Sequence, residues 1–136
     1  MKIVILTYAK DRLNVASINR LVEEAELHGH TVERVRYADC SMGVVGGVPK
    51  IYHPRVVLED ADAVIPWIIQ GDFSYGIDVL RHFESMGVFL LNGSEAFNNT
   101  SHKWRTAQIL VAKNIPTPDT YRANNYKHMQ SHIDGM

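Results

Sequence analysis

The sequence predicts an α/β fold, an open and mostly parallel doubly wound sheet with helices on both faces and a small hairpin insertion. Residues 2–6 and 63–69 are apolar runs of the kind found in strands that are buried on both faces. Each run is followed by a polar segment, an amphipathic helical pattern and a further strand pattern, and this alternation is typical of a parallel sheet. Ligands bind beyond the carboxyl ends of such strands, so we expect a site near the loop after Trp67 and the turn at residues 92–94.

The first strand–helix–strand unit spans residues 2–37. Its helix is predicted to begin at a cap formed by Asn14 or Ser17 and to end at Gly29, which can adopt the left-handed conformation. A strand over residues 31–37 completes the unit. The predicted buried stripe of the helix consists of Ile18, Leu21, Val22 and Ala25.

Residues 39–60 are harder to interpret, because glycines and prolines interrupt every regular pattern. We predict a small hairpin with arms at residues 50–53 and 55–58 that turns near Pro54. A flexible surface excursion is the alternative.

Residues 59–92 form the central unit. A strand at 63–69 leads into a polar loop at 70–74, and a helix follows that is predicted to end at Gly87. A short strand at 88–91 closes the unit. The helix is expected to bury Ile77, Leu80 and Phe83.

The last part of the chain is predicted to be mainly helical. Ser94 is expected to cap a short helix over residues 95–98, and residues 99–101 to cap a longer amphipathic helix that ends at Asn114. Residues 115–121 contain two prolines and are predicted to be an extended segment or an edge strand, and residues 124–133 a final helix. The longer helix is expected to bury Trp104, Ala107, Leu110 and Val111.

Composition excludes several classes of function. A formal net charge of −1 lacks the basic footprint of a nucleic-acid-binding protein, and no apolar run is long enough for a membrane span or a signal peptide. We therefore predict a cytoplasmic protein. Cys40 is the only cysteine and the seven histidines are scattered, so neither a metal site nor a catalytic residue is predicted. The i, i+4 pair His128 and His132 lacks the intervening glutamate of a helical zinc motif.

Four segments in order resemble the RimK-type α-L-glutamate ligases of the ATP-grasp superfamily. They are DAVIP at 62–66, the Tyr75–Gly76 pair, VLRHFESMG at 79–87 and LLN at 90–92. The similarity extends outward to MKIVIL at the start, to HGH at 28–30 and to the helix and proline segment at 101–121, so that it covers about residues 1–122.

The resemblance implies that residues 1–98 are a pre-ATP-grasp domain and that residues 99–136 are a linking helix and the start of an ATP-grasp domain. In such ligases ATP and magnesium activate a carboxylate as an acyl phosphate, which an amine on a protein, peptide or small molecule then attacks. Because the lysine strand, glycine-rich loop and magnesium ligands of the family do not follow, we expect this segment to bind no cofactor and to be inactive alone. The remainder would be supplied in cis or by a partner chain, and a homo-oligomer is also plausible.

The resemblance also suggests site residues. Lys103 matches a linking-helix lysine that points toward the nucleotide phosphates, although an ordinary solvated lysine is the alternative. The candidates for substrate binding are Trp67, Tyr75, Gly76, Asn92 and Ser94. Packing would equally account for Tyr75, and helix capping would account for Ser94.

Trp67 marks a departure from the family pattern. Many members have an arginine after DAVIP, in a motif like PRIG, and this chain has Trp67–Ile68–Ile69. Glutamate as the donated amino acid is therefore in doubt, because a bidentate carboxylate contact is lost. Two other functional classes stay open, a stand-alone α/β module that binds a small molecule or protein, and an interaction domain without a ligand.

Overall fold

The computed structural model describes residues 1–8, 15–67, 73–125 and 127–133. A short 3-10 turn occupies Tyr37–Asp39. The strands are β1 (Lys2–Thr7), β2 (Thr31–Arg36), β3 (Ser41–Val45), β4 (Val48–Tyr52), β5 (Ala63–Trp67) and β6 (Phe89–Leu90). The helices are α1 (Val15–Leu27), α2 (Phe73–Ser85), α3 (Ser94–Thr100), α4 (Lys103–Ala112) and α5 (Lys127–Ile133).

Four strands form a parallel sheet in the order β2-β1-β5-β6, which confirms the predicted fold class. Val4, Leu6 and Val35 point to one face, where they join the main core together with Leu80 and Phe83 of α2. The opposite face carries Arg34, whose Nη1 donates to Asn19 Oδ1 of α1 at 2.8 Å. The two helices therefore cover opposite faces of the sheet.

The hairpin insertion exists, but its predicted position was wrong. It pairs β3 with β4 and turns at Gly46 and Gly47, whereas residues 53–60 form no strand. Both glycines have positive φ, 60° and 79°, and a two-residue turn with positive φ at both positions matches the twist of the flanking strands. The glycine pair that interrupted the sequence pattern is thus the turn itself.

The predicted helix ends were largely correct. Gly29 and Gly87 have φ values of 77° and 82°, and Asn114 has φ 55°, so all three end their helices in the left-handed region. The predicted start of α4 was wrong, since its N-cap is His102, whose side chain accepts from the Arg105 N–H. Ser17 lies inside α1 rather than at its cap, and Asn14 falls outside the described residues.

The chain divides into two compact units, Met1–Phe97 and Asn98–Met136. In the second unit Val111 is 61% exposed, so its predicted burial was wrong. Residues 115–123 form no strand, because Pro116 and Pro118 lack the N–H that a ladder needs. In the part of the chain that the structure describes, no helix is long and apolar enough to cross a membrane.

Candidate functional site

The carboxyl edge of the sheet is defined by three residues in one row. Register pairs Thr7 of β1 with Arg36 of β2 on one side and with Trp67 of β5 on the other. Paired residues of parallel strands project to the same face, so the three side chains leave the sheet on the side that α1 covers. This is the edge at which the sequence predicts a site.

Trp67 supplies an unsatisfied donor at this edge. Its indole Nε1 is buried and has no hydrogen-bond partner among the described residues, although the side chain as a whole is only half-buried. The neighbouring Thr7 hydroxyl is already engaged, since it donates to the Val35 carbonyl at 3.4 Å. A buried donor without a partner costs about 1–3 kcal/mol, and a ligand oxygen that reached Nε1 after a shift of the groups covering it would remove that cost.

The turn after β6 is held by a carboxylate that sequence reasoning missed. Glu84 of α2 accepts from the Ser94 N–H at 2.8 Å and from the Ser94 hydroxyl at 2.6 Å. A Cβ at Gly93 would lie 3.1 Å from the same carboxylate, so the turn approaches Glu84 closely. Ser94 is buried, and its hydroxyl hydrogen points to Glu84. No sequence pattern links residues 84 and 94, because the contact exists only once α2 packs beside β6.

Tyr75 and Gly76 lie in the first turns of α2. The Tyr75 hydroxyl donates to the Cys40 carbonyl at 2.7 Å and so ties α2 to the segment before β3. Burial, followed by the charges of Cys40 and Asp78, raises the pKa of Tyr75 above its ordinary value. Gly76 is buried within the helix. These contacts agree with the packing alternative for Tyr75.

Asn92 is exposed and lies two residues after the end of the short strand β6, at the same end of the sheet. Within the first unit the structure therefore brings the Trp67 row and the β6 turn to one edge.

The family follows from comparison with known proteins. Residues 1–97 match the family described as the RimK PreATP-grasp domain. The chain belongs to this family. The matched segment coincides with the first compact unit, Met1–Phe97, so the RimK pre-ATP-grasp domain is the part that carries the parallel sheet.

Curated relatives agree with this assignment. A probable alpha-L-glutamate ligase from Marinobacter nauticus is 41% identical over 124 residues, which are 91% of this chain and 40% of that protein. A probable alpha-L-glutamate ligase from Legionella pneumophila is 40% identical over 121 residues, which are 88% of this chain and 39% of that protein. The chain thus spans about 40% of the length of the curated relatives that it matches.

Solved structures support the fold. The macrocyclase MdnC from Microcystis aeruginosa, solved with its precursor peptide MdnA, superposes with a TM-score of 0.67 at 16% identity, over 99% of this chain and 50% of that one. A RimK domain protein ATP-grasp from Sphaerobacter thermophilus gives a TM-score of 0.65 at 17% identity, over 98% of this chain and 46% of that one.

The RimK pre-ATP-grasp domain offers little for a nucleotide or a metal ion. Lys103 is exposed at the start of α4 and belongs to the second unit, whereas the residues that define the sheet edge belong to the first. Across residues 1–8, 15–67, 73–125 and 127–133, no group of three histidine, cysteine or acidic side chains could hold a metal ion. The side chains of His128 and His132 fall outside the description.

Cys40 is unsuited to act as a nucleophile. The thiol is buried within the main core, and burial together with the charge of Asp39 raises its pKa to about 12. A thiol with that pKa stays protonated at neutral pH, and the thiolate is the reactive form.

Proposed function

We propose that this chain is the substrate-facing first domain of an ATP-dependent carboxylate–amine ligase. In that reaction ATP phosphorylates a carboxylate, and an amine attacks the resulting acyl phosphate to form an amide and release phosphate. Membership of the RimK pre-ATP-grasp family supports the proposal, as do relatives named as probable alpha-L-glutamate ligases. The chain corresponds to only about 40% of those proteins, so we assign it one wall of the cleft.

The proposal rests on Trp67 Nε1 at the end of β5, which is buried and has no hydrogen-bond partner among the residues that the structure describes. An indole N–H can donate a single hydrogen bond to a carboxylate or carbonyl oxygen. An arginine would instead clamp a carboxylate with two charged hydrogen bonds. We therefore propose that Trp67 contacts the substrate through one oxygen and an apolar surface. A single N–H donor matches the carboxylate of a glutamate substrate less well than an arginine would.

The remaining candidate residues have smaller roles in this proposal. Asn92, which is exposed beside the same edge, supplies a second polar contact to the substrate. Glu84 and Ser94 act as positioning residues, because their hydrogen bonds fix the turn that carries Asn92.

ATP and magnesium belong to the complete ligase in this proposal. In the complete ligase Lys103 would supply a phosphate contact, because its ammonium would offset the charge of a triphosphate. The described residues contain no carboxylate cluster that could hold magnesium. A cytoplasmic location and a homo-oligomeric state stay predictions.

The test is a chimera in which residues 1–97 replace the matching segment of the Marinobacter nauticus ligase. The 136-residue chain alone should release no ADP from ATP, whereas the chimera should release ADP when an amino acid and an acceptor are supplied. Steady turnover of ATP by the isolated chain would overturn the proposal, as would a folded chimera without activity.

A variant of the chimera tests the role of Trp67. Trp67→Phe keeps an aromatic ring but removes the N–H, and loss of one hydrogen bond is expected to raise the KM for the carboxylate substrate about threefold to tenfold. Tyr52→Phe, on the exposed side of the hairpin, is the matched control and should leave that KM unchanged. An unchanged KM in the Trp67→Phe chimera would remove Trp67 from the site.

A further inference from the structure

A basic pocket lies at the outer edge of the same parallel sheet. It is a cavity of about 430 Å³ between the edge strand β2 and the segment at residues 53–56. The volume lies within the range of small-molecule sites. No residue of this pocket was among the sequence-predicted site residues. Its charged and titratable lining consists of Arg34, Arg36, Asp39, His53 and Arg55.

The charge of the lining is positive and only partly compensated. Arg36 is paired with Asp39 through two hydrogen bonds, Nε to Oδ2 at 2.7 Å and Nη2 to Oδ1 at 2.6 Å. Among the described residues, neither the Arg34 nor the Arg55 guanidinium has a carboxylate within ion-pairing distance. Three arginines against one aspartate leave two positive charges in one pocket of a chain whose formal net charge is −1.

Hydrogen bonds within the protein orient two of these donors, Arg34 and His53. The Arg34 guanidinium is anchored by Asn19 of α1, a neutral partner that orients the group without cancelling its charge. His53 Nδ1 accepts a hydrogen bond from the backbone N–H of Arg55 at 3.3 Å. In the neutral ring the proton is therefore on Nε2, so His53 can act as a donor to a ligand. The Arg55 side chain is exposed and has no hydrogen bond among the described residues.

The pocket is distinct from the Trp67 site but close to it. Arg36 lies in the same row as Trp67, two strands away across β1. Adjacent strands are about 5 Å apart, so the Cα atoms of the two residues are separated by roughly 10 Å. The basic pocket opens at the outer strand, whereas the Trp67 donor lies nearer the middle of the sheet.

We propose that this pocket binds a small molecule through an oxyanion group, either phosphoryl or carboxylate. The guanidinium groups of Arg34 and Arg55 match the planar, paired oxygens of both groups, and charge-assisted hydrogen bonds of this kind are the strong ones. His53 adds a third donor, and the hydrogen-bonded Arg36–Asp39 pair lines the pocket beside it. The pocket is argued from its own lining and does not depend on the ligase reaction.

Titration calorimetry on the 136-residue chain tests the proposal, with inorganic pyrophosphate and citrate as probes at constant ionic strength in chloride. One saturable site is expected. Tighter binding of pyrophosphate would assign a phosphoryl ligand, and tighter binding of citrate would assign a carboxylate ligand. Heat that rises linearly with both anions, without saturation, would overturn the proposal.

Two variants show whether the anion binds in this pocket. Arg55→Gln is expected to weaken binding about tenfold, the effect of one lost hydrogen bond between charged groups. The Arg55 side chain makes no ion pair or hydrogen bond among the described residues, so the substitution breaks none of these. Arg81→Gln on α2 removes an equal charge outside the pocket and should leave affinity unchanged. Equal weakening in the two variants would show a general charge effect and overturn the site. An unchanged ¹H–¹⁵N spectrum away from residue 55 verifies the fold.

Discussion

The two compact units of the chain differ in how they bury apolar surface. In Met1–Phe97 the sheet and α2 enclose side chains that are completely inaccessible, such as Leu80 and Phe83. In Asn98–Met136 no described residue is buried, and α4 has none along its whole length. Several large apolar side chains of the second unit are exposed, namely Val111, Ile115, Tyr121 and Ile133.

This difference shows where the folding free energy resides. Burial of apolar surface is the main favourable contribution to folding, and a helix without a buried face depends on further packing. We therefore expect the first unit to account for most of the stability of the chain. The family match covers that same unit, residues 1–97.

Two leucine truncations test this difference in burial, and one of them is expected to have the largest effect on stability. Leu80→Ala removes a fully buried side chain and is expected to lower the free energy of unfolding by about 2–5 kcal/mol. Leu110 on α4 is only half-buried, so Leu110→Ala removes little buried apolar surface. It is expected to lower the free energy of unfolding by less than about 1 kcal/mol. Urea unfolding monitored by circular dichroism measures both. Similar losses in the two variants would contradict the difference in burial between Leu80 and Leu110.

Removal of the Glu84 carboxylate should have an intermediate effect. Glu84→Ala leaves the N–H and the hydroxyl of buried Ser94 without their acceptor, at an expected cost of about 1–3 kcal/mol in unfolding free energy. Glu95→Gln removes an exposed carboxylate from α3 and is the control, with an expected change below about 0.5 kcal/mol. If Glu84→Ala is as stable as wild type, the turn at residues 92–94 is held by something else.

Alkaline pH should weaken the first unit through Cys40. The thiol pKa is raised from 9.0 to about 12 by burial, so between these values the unfolded chain loses a proton that the folded chain keeps. Stability is therefore complete below about pH 9 and declines above it, by roughly 1 kcal/mol at about pH 10. The difference in unfolding free energy between wild type and Cys40→Ala isolates this contribution, and a difference that does not change with pH would contradict it.

The reaction rates of two thiols, one in each unit, compare the accessibility of the two units. Native Cys40 should react slowly with a disulfide reagent at neutral pH. A reporter introduced by Ala112→Cys in a Cys40→Ala background lies at the exposed end of α4 and should react at the rate of a free thiol. Comparable rates would indicate that the first unit opens as readily as the second.

Periodicity and glycines predict most of the fold. The alternation of strands and helices is visible because each strand is a short apolar run and each helix has one apolar stripe. Gly29 and Gly87 mark helix ends, because a glycine directly after an amphipathic run is typical of a left-handed C-terminal residue. The predicted hairpin was misplaced because a proline at residue 54 also favours a turn, although the two neighbouring glycines match the twist of a tight hairpin better.

The site was less predictable, because its contacts depend on tertiary packing. The row of Thr7, Arg36 and Trp67 requires the register of three strands, which local patterns do not provide. The Glu84–Ser94 contact and the basic pocket at β2 likewise join segments that are distant in the sequence. The exposure of Val111 was missed because helical spacing identifies an apolar face but not whether anything covers it.

The two tryptophans, one in each unit, allow the most direct test of the central claim that Trp67 Nε1–H contacts the substrate. In a ¹⁵N-labelled chain the two indole signals can be assigned with Trp104→Phe and then followed during titration with amino-acid carboxylates. A saturable downfield shift of the Trp67 signal, with no shift of the Trp104 signal, is the predicted result. A Trp67 signal that does not move, or equal movement of both signals, would contradict it.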